Sequence, residues 1–181
     1  MDVRLPFPPL RLLLLTDAEY GDFAQRQVDE SARQRVEAGE WMPTDAHERA
    51  RVEHADLLSD QLRGQGHTFL KGVQPAEKGP VGWVWVSPGP AFLERYGVED
   101  PSRAGWLSQI TVRDELRGQG YGKALLTALH EHLAAEGVEA LYLRAYNWNV
   151  AARRLYARCG YEVVRQFATD AHMRKDLTSI R

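Results

Sequence analysis

The sequence predicts an α/β fold, a sheet with helices on both faces, and three observations predict it. From residue 105 onward, short apolar runs of strand length alternate with helical stripes. Glycines close each helical stripe: Gly39, the pair Gly64 and Gly66, Gly137 and Gly160. The 181 residues are 44% hydrophobic and 27% charged, a balance that supports a buried core without disulfides or a structural metal.

After a proline-rich leader, residues 1–9, residues 10–181 read as one domain. Leu10–Thr16 is a short apolar run and predicts a strand. Thr16 or Asp17 then caps a helix to about Ala38, where Tyr20, Ala24, Val28, Ala32 and Val36 recur every fourth residue. A second helix starts after Pro43-Thr44 and extends to about Arg63, with Leu57, Leu58 and Leu62 as apolar anchors. His67–Val73 and Val81–Ser87 are two strands joined by a breaker-rich hairpin loop, Gln74 to Pro80. The nearly continuous apolar run Val81–Val86 suits a strand covered on both faces. Pro88 to Ala104 holds three prolines and two glycines, and a loop of that length is usually functional or disordered.

Gly105–Val112 is the next strand, followed by a glycine-rich turn and a helix, Tyr121–Glu136, with Leu125, Leu129 and Leu133 on one face. Val138–Ala145 is a strand. Asn149–Arg158 is a short helix whose Ala152, Leu155, Tyr156 and Cys159 fall at i, i+3, i+4 and i+7. Tyr161–Phe167 and His172–Asp176 are the final strands.

Composition excludes several classes of function. A net charge of −2 gives no overall basic field to attract nucleic acid or anionic lipid. The charge is uneven: residues 1–112 hold 12 basic and 17 acidic side chains, residues 113–181 hold 11 and 8. A basic C-terminal part favours an anionic ligand and an acidic N-terminal part a cationic one, or the two are simply solvated faces that differ. No apolar run approaches the ~18 residues that would span a membrane. The leader is not expected to act as a signal peptide: its apolar run is short, Arg11 and prolines interrupt it, and no small-residue cleavage site follows. The single cysteine, Cys159, excludes an internal disulfide and fits a reducing compartment, so the cytoplasm is expected. No metal site is expected. His130 and His132 point to nearly opposite sides of a helix, and His47 and His54 have no ligand cluster around them.

The sharpest signal is Arg117-Gly118-Gln119-Gly120-Tyr121-Gly122-Lys123, between a strand and a helix. Glycines there let the main chain approach a ligand, and the helix start offers unpaired N–H groups and the positive end of its dipole, together an anion site. The phosphate loop fails because Ala124 follows Gly122-Lys123, and the dinucleotide fingerprint fails because Lys123 takes the place of its third glycine. A third pattern, Arg/Gln-x-x-Gly-x-Gly/Ala, is matched by Arg117, Gly120 and Gly122. With it, the chain resembles the GNAT superfamily of acyl-CoA-dependent N-acetyltransferases. Ile110-Thr111-Val112-Arg113 precedes the turn as the family's fourth strand would. Asn149-x-x-Ala152-x-x-Leu155-Tyr156-x-x-Cys159-Gly160-Tyr161 is similar to the family's later segment, and the element order over residues 10–177 also fits.

The resemblance implies a GNAT fold: a central mixed, mostly antiparallel sheet of about seven strands, splayed between strands four and five. It implies acetyl-CoA as cosubstrate and an amine as acceptor. The coenzyme's pyrophosphate would lie on the main-chain amides of Arg117, Gly118, Gln119, Gly120, Tyr121, Gly122 and Lys123. The pantetheine arm would bond the main chain of Ile110, Thr111 and Val112. Asn149 would reach the pantetheine or its water, cap its helix, or do both. Tyr156 is the catalytic candidate, a phenol that protonates or stabilises the departing thiolate; its alternative is a core aromatic.

Many members of the family place a glutamate on the fourth strand as general base, and Gly105–Val112 contains no acid. Three options remain: an acid of the preceding loop (Glu94, Glu99, Asp100), an acid of the first helix (Asp29, Glu30), or a water chain through Ser108 or Gln109. Cys159, on the inward stripe, reads as a small core residue. Trp83 and Trp85 share one strand face, to pack under a helix or to wall the acceptor cleft. The Pro88–Ala104 loop, Phe92–Tyr96 in particular, is a lid or a homodimer contact. The reading is an acetyl transfer to a primary amine by direct attack in a ternary complex, since no placed nucleophile argues for an acyl-enzyme. The acceptor would be a small amine, a polyamine-like or antibiotic molecule, or a peptide amine. The alternative is a non-catalytic acyl-CoA-binding or sensing module on the same fold.

Overall fold

The computed structural model describes residues 10–59, 62, 65–89, 93 and 100–180. The leader, Glu94, Glu99 and, Leu93 apart, the Phe92–Tyr96 segment lie outside them. Two compact units result, one from Leu15–His67, the other from the described residues of Met1–Leu14 and Thr68–Arg181.

The first unit is helical. Helix α1, Asp17–Glu37, opens with a capping box: Glu19 N–H donates to Thr16 Oγ1, and the Thr16 N–H returns a bond to the Glu19 carboxylate at 2.9 Å. Its stripe buries Tyr20, Ala24, Val28 and Ala32, as the four-residue recurrence predicts. Helix α2, Ala46–Glu53, sets Ala46 and Ala50 against Val28 and Ala32. The expected single helix to Arg63 is broken at His54, which caps both α2 and a short α3, Ala55–Leu58. The reason is tertiary: the Tyr20 hydroxyl donates to the Leu57 carbonyl at 2.9 Å and so ties α3 to α1.

The second unit is built on seven strands: β1 Arg11–Leu14, β2 Thr68–Val73, β3 Gly82–Pro88, β4 Ala104–Val112, β5 Ala140–Tyr146, β6 Glu162–Gln166 and β7 Asp170–Asp176. Their order is β1-β2-β3-β4-β5-β7-β6. Every pair is antiparallel except β4 with β5, so the sheet is mixed and mostly antiparallel, as expected. Helix α4, Tyr121–Ala135, is the crossover that a parallel pair requires. Helix α5, Val150–Arg158, follows β5.

Leu70, Val84, Val86, Leu107, Leu141, Leu143 and Met173 form a single core with Leu125, Leu126, Leu129 and Leu133 of α4 and Tyr156 of α5. Strand β3 is not equally covered on its two sides: Gly82, Val84 and Val86 are buried, whereas Trp83 and Trp85 are half-buried. The period-two alternation prevails there over the apolar run. Trp85 stacks on Phe69, with ring centroids 5.6 Å apart.

One irregularity positions the site. The β4–β5 ladder runs from Ala104↔Ala140 to Leu107↔Leu143 and then stops. Beyond it, β4 follows β3 to Val112 while β5 follows β7 to Tyr146. Trp85 pairs with Gln109 and Val86 with Leu107, so Ser108 is an extra, bulged residue directly after the last β4–β5 pair. A bulge bends its strand and raises the local twist, and here it opens a fork in the sheet. Among the described residues, no helix is long and apolar enough to cross a membrane.

Candidate active site

At the far end of β4, a 3₁₀ turn at Asp114–Leu116 leads into Arg117–Gly120 and then α4. Gly118 and Gly120 have φ of +76° and +91°, the left-handed region that glycine enters without a Cβ clash. No side chain caps α4. The main-chain N–H groups of Gly118, Gln119, Gly120, Tyr121 and Gly122 have no acceptor among the described residues.

The side chains of this turn leave those amides uncovered. Arg117 turns back to pair with Asp114 at 2.7 Å and to donate to the Val112 carbonyl at 3.3 Å. Gln119 donates to the Glu115 carbonyl at 2.8 Å. The Tyr121 ring is buried, its hydroxyl accepting from Gln74 Nε2 and donating to Glu77 at 3.2 Å. Gly122 faces inward: a Cβ there would lie 3.0 Å from a Leu155 methyl. The first two glycines shape the turn, and the third lets α4 approach α5. Lys123 lines a cleft of about 450 Å³ with Arg158, Cys159 and Lys175.

Ser108, Gln109, Ile110, Thr111 and Val112 are half-buried and lie beyond the last β5 partner. Alternate residues of an extended strand turn their N–H and C=O groups to opposite neighbours, so part of this stretch presents main-chain polar groups to the fork. Ser108 Oγ lies 2.9 Å from Ser87 Oγ, and Gln109 Nε2 donates to Thr111 Oγ1 at 3.1 Å.

Past the fork, Asn149 Oδ1 accepts from Ala152 N–H at 3.1 Å and caps α5, which leaves its Nδ2 group for another acceptor. Tyr156 is buried, edge-on to Tyr161 with centroids 5.6 Å apart. Burial, with the Cys159 thiol beside it, pushes its phenol up to about 12. Its hydroxyl makes no hydrogen bond to a described residue. Such a phenol keeps its proton across the neutral range and has it to give. Burial likewise pushes the half-buried Cys159 thiol up, which disfavours a nucleophilic thiolate.

The acids considered for the base are occupied where they are described. Asp100 accepts from Ser102 N–H and Oγ, bonds that hold its carboxyl below the usual range and make it a poor proton acceptor. Asp29 lies 2.9 Å from His47 Nε2, and Glu30 pairs with Arg33 at 2.5 Å. Sequence reasoning overlooked a group on the other side of the fork. Arg144 of β5 is opposite His172 of β7, which is opposite Arg165 of β6, and Tyr146 is opposite Asp170. His172 packs edge-on against Trp106, centroids 5.1 Å apart, and lies 4.9 Å from the Phe167 ring. The i, i+2 spacing of Asp170 and His172 and of Arg144 and Tyr146 was a legible signal that each pair shares a face. Which strands meet was not legible. Asn147 was also missed: it accepts from Arg153 and Gln166 and donates to the Phe167 and Ala168 carbonyls, fastening the β5–α5 corner to the β6–β7 turn.

Comparison with known proteins places this geometry among relatives. The model of the acetyltransferase (GNAT) family matches residues 32–161. An uncharacterised N-acetyltransferase of Bacillus subtilis, YycN, is 29% identical over 159 residues, 88% of this chain and 93% of that protein. The crystal structure of YycN superposes with a TM-score of 0.77, at 25% identity over 88% of this chain and 96% of that one. The PaiA N-acetyltransferase of Thermoplasma acidophilum, solved in complex with coenzyme A, shares the fold with a TM-score of 0.66 at 15% identity, over 92% and 98% of the two chains.

Proposed function

Because the chain belongs to the acetyltransferase (GNAT) family, and is an N-acetyltransferase by that membership, we propose that it moves an acetyl group from acetyl-CoA to a primary amine by direct attack in a ternary complex. The observation that carries this reading is the conjunction of an opened β4–β5 fork with an adjoining turn whose amides, Gly118 to Gly122, have no acceptor among the described residues. The family match runs through both compact units, and we read residues 10–181 as one functional domain.

In this reading the amides of Gly118–Gly122 at the start of α4 hold the pyrophosphate of acetyl-CoA as substrate, whereas the Arg117 N–H expected to join them is engaged by the Asp114 carbonyl at 3.2 Å. The pantetheine arm enters the fork as a partial strand against Ile110, Thr111 and Val112, and Asn149 Nδ2 donates to it. This fixes the thioester at the point where β4 and β5 diverge. The amine nitrogen attacks the thioester carbonyl, the C–N bond forms, and the tetrahedral intermediate collapses with loss of the C–S bond. Tyr156 hands its phenolic proton to the departing sulfur. The amine's own proton leaves for solvent through the Ser108–Gln109 edge of β4, which flanks the fork.

An amine panel with thiol release from acetyl-CoA as readout tests the proposal, with coenzyme A affinity measured in parallel. Thiol release that depends on the amine supports the transferase. Tight coenzyme A binding without thiol release from any amine overturns it in favour of a non-catalytic acyl-CoA sensor.

A further inference from the structure

Beyond the fork, the first β5 residue is Arg144, immediately after the last β4–β5 pair, Leu107↔Leu143. Its register partner on β7 is His172, whose register partner on β6 is Arg165. Directly opposed residues in neighbouring strands share a face with Cβ atoms about 5 Å apart, so the two guanidinium stems flank the imidazole. Both arginines are exposed. Neither has a carboxylate partner among the described residues, whereas Arg174 farther along the same face is paired with Asp176 at 3.0 Å.

Each guanidinium is nonetheless held. Arg144 lies 4.7 Å above the Tyr146 ring and donates to the Tyr146 hydroxyl at 2.7 Å. Arg165 lies 5.1 Å above the Phe167 ring. Stacking on aromatic faces fixes the plane of a guanidinium and leaves its N–H fork exposed, the geometry that reads an oxyanion. Asp170 is the carboxylate at this end of the face; at the other end Asp176 is paired with Arg174, which Glu162 of β6 also opposes. Asp170 is buried and accepts from Thr169 Oγ1 at 3.0 Å. Burial lowers the basicity of His172; Asp170 works against that, and Arg144 and Arg165 add to it, so the ring is neutral at neutral pH and the face keeps its two positive charges. The acidic excess of residues 1–112 does not extend to this part of the sheet.

We infer that Arg144 and Arg165 form an oxyanion-recognition site at the open end of the fork, so that the acceptor is a primary amine that also carries a carboxylate or a phosphate. The inference rests on the transferase reading for calling the ligand an acceptor. A guanidinium–oxyanion pair in such a setting is a charge-assisted, bidentate contact, while the amine at the other end of the molecule points back to the thioester.

The test uses matched probes: amino acids and a dipeptide against their carboxamides for the carboxylate, and phosphoethanolamine against ethanolamine for the phosphate. The expected result is a kcat/KM at least about tenfold higher for the anionic member of one pair, which also identifies the oxyanion. Arg144→Gln and Arg165→Gln should each remove most of that preference while the rate with the neutral member and the KM for acetyl-CoA stay unchanged. Calorimetric titration of the same probes onto the coenzyme-A-loaded protein scores the preference whether or not thiol is released, so failure of the transferase reading and failure of this site are separate results. Equal affinity and equal rate for charged and neutral members of both pairs, or variants that retain the preference, would overturn the inference.

Discussion

Gly72 and Gly82 are directly opposite each other on β2 and β3, and the Leu125 side chain fills the hollow that the pair leaves. A Cβ on Gly72 would meet Leu125 Cδ2 at 2.4 Å, whereas one on Gly82 would meet the Thr111 carbonyl oxygen at 2.3 Å. The first collision is with a side chain that can change rotamer, the second with the main chain of β4. Gly72→Ala should therefore cost about 1–3 kcal/mol, the usual range for overpacking. Gly82→Ala should cost more and also weaken coenzyme A binding, because Thr111 lies on the proposed pantetheine edge. Urea denaturation of the two variants checks the order; a milder effect for Gly82→Ala would contradict it.

Tyr156→Phe separates chemistry from folding unusually well. The phenolic oxygen makes no hydrogen bond to a described residue, so removing it leaves no orphaned partner in the core and Tm should hardly change. If that proton goes to the departing thiolate, kcat should fall by about 10²-fold, in the range for a lost general acid, with little change in the KM for acetyl-CoA. An unchanged kcat would remove Tyr156 from the mechanism.

How much of this was legible in the sequence depends on whether local signals decided the outcome. The α1 cap at Thr16 and Glu19, the α5 stripe through Tyr156 and the glycine turn between β4 and α4 were readable because each is set by residues a few positions apart. The break at His54 was not readable, because the partner that stabilises it, Tyr20, is 37 residues from Leu57. The bulge at Ser108 was equally hidden, since two-for-one pairing is a property of β3 and β4 together. The Arg144–His172–Arg165 row needs three strands in register, with β7 inserted between β5 and β6. A linear pattern can place each of those residues on a face but cannot say which faces adjoin.

Asn149 has two roles that one substitution can divide. Its Oδ1 caps α5 by accepting from Ala152 N–H, and its Nδ2 is the proposed donor to the pantetheine. Asn149→Asp keeps the cap and loses the donor, so stability should stay within about 0.5 kcal/mol while coenzyme A affinity falls. Asn149→Ala should lose both, with about 1 kcal/mol of stability gone as well. Thermal denaturation beside calorimetric titration of coenzyme A distinguishes them, and an Asp variant with wild-type affinity would confine Asn149 to the cap.

His130 gives the fold a dependence on pH that its surface charges would not. It is buried in α4, its Nε2 lies 2.9 Å from the Tyr161 hydroxyl, and burial, aided by Lys175, holds its imidazole down at about 4. In the unfolded chain the ring titrates near its ordinary 6.5. Above that value the imidazole is neutral in both states and contributes no pH dependence. As the pH falls through 6.5, the unfolded chain takes up a proton that the folded one refuses, so stability drops, and the drop is complete below about 4. The full loss is about 3 kcal/mol, of which about 2 kcal/mol has occurred by pH 5. His130→Gln keeps a hydrogen-bonding group toward Tyr161 but cannot titrate there. Urea denaturation at pH 7 and at pH 5 should therefore show a steeper fall for the parent chain than for His130→Gln, by roughly that 2 kcal/mol. Parallel losses in the two proteins would mean that the acid sensitivity comes from other groups and that His130 takes its proton without cost to the fold.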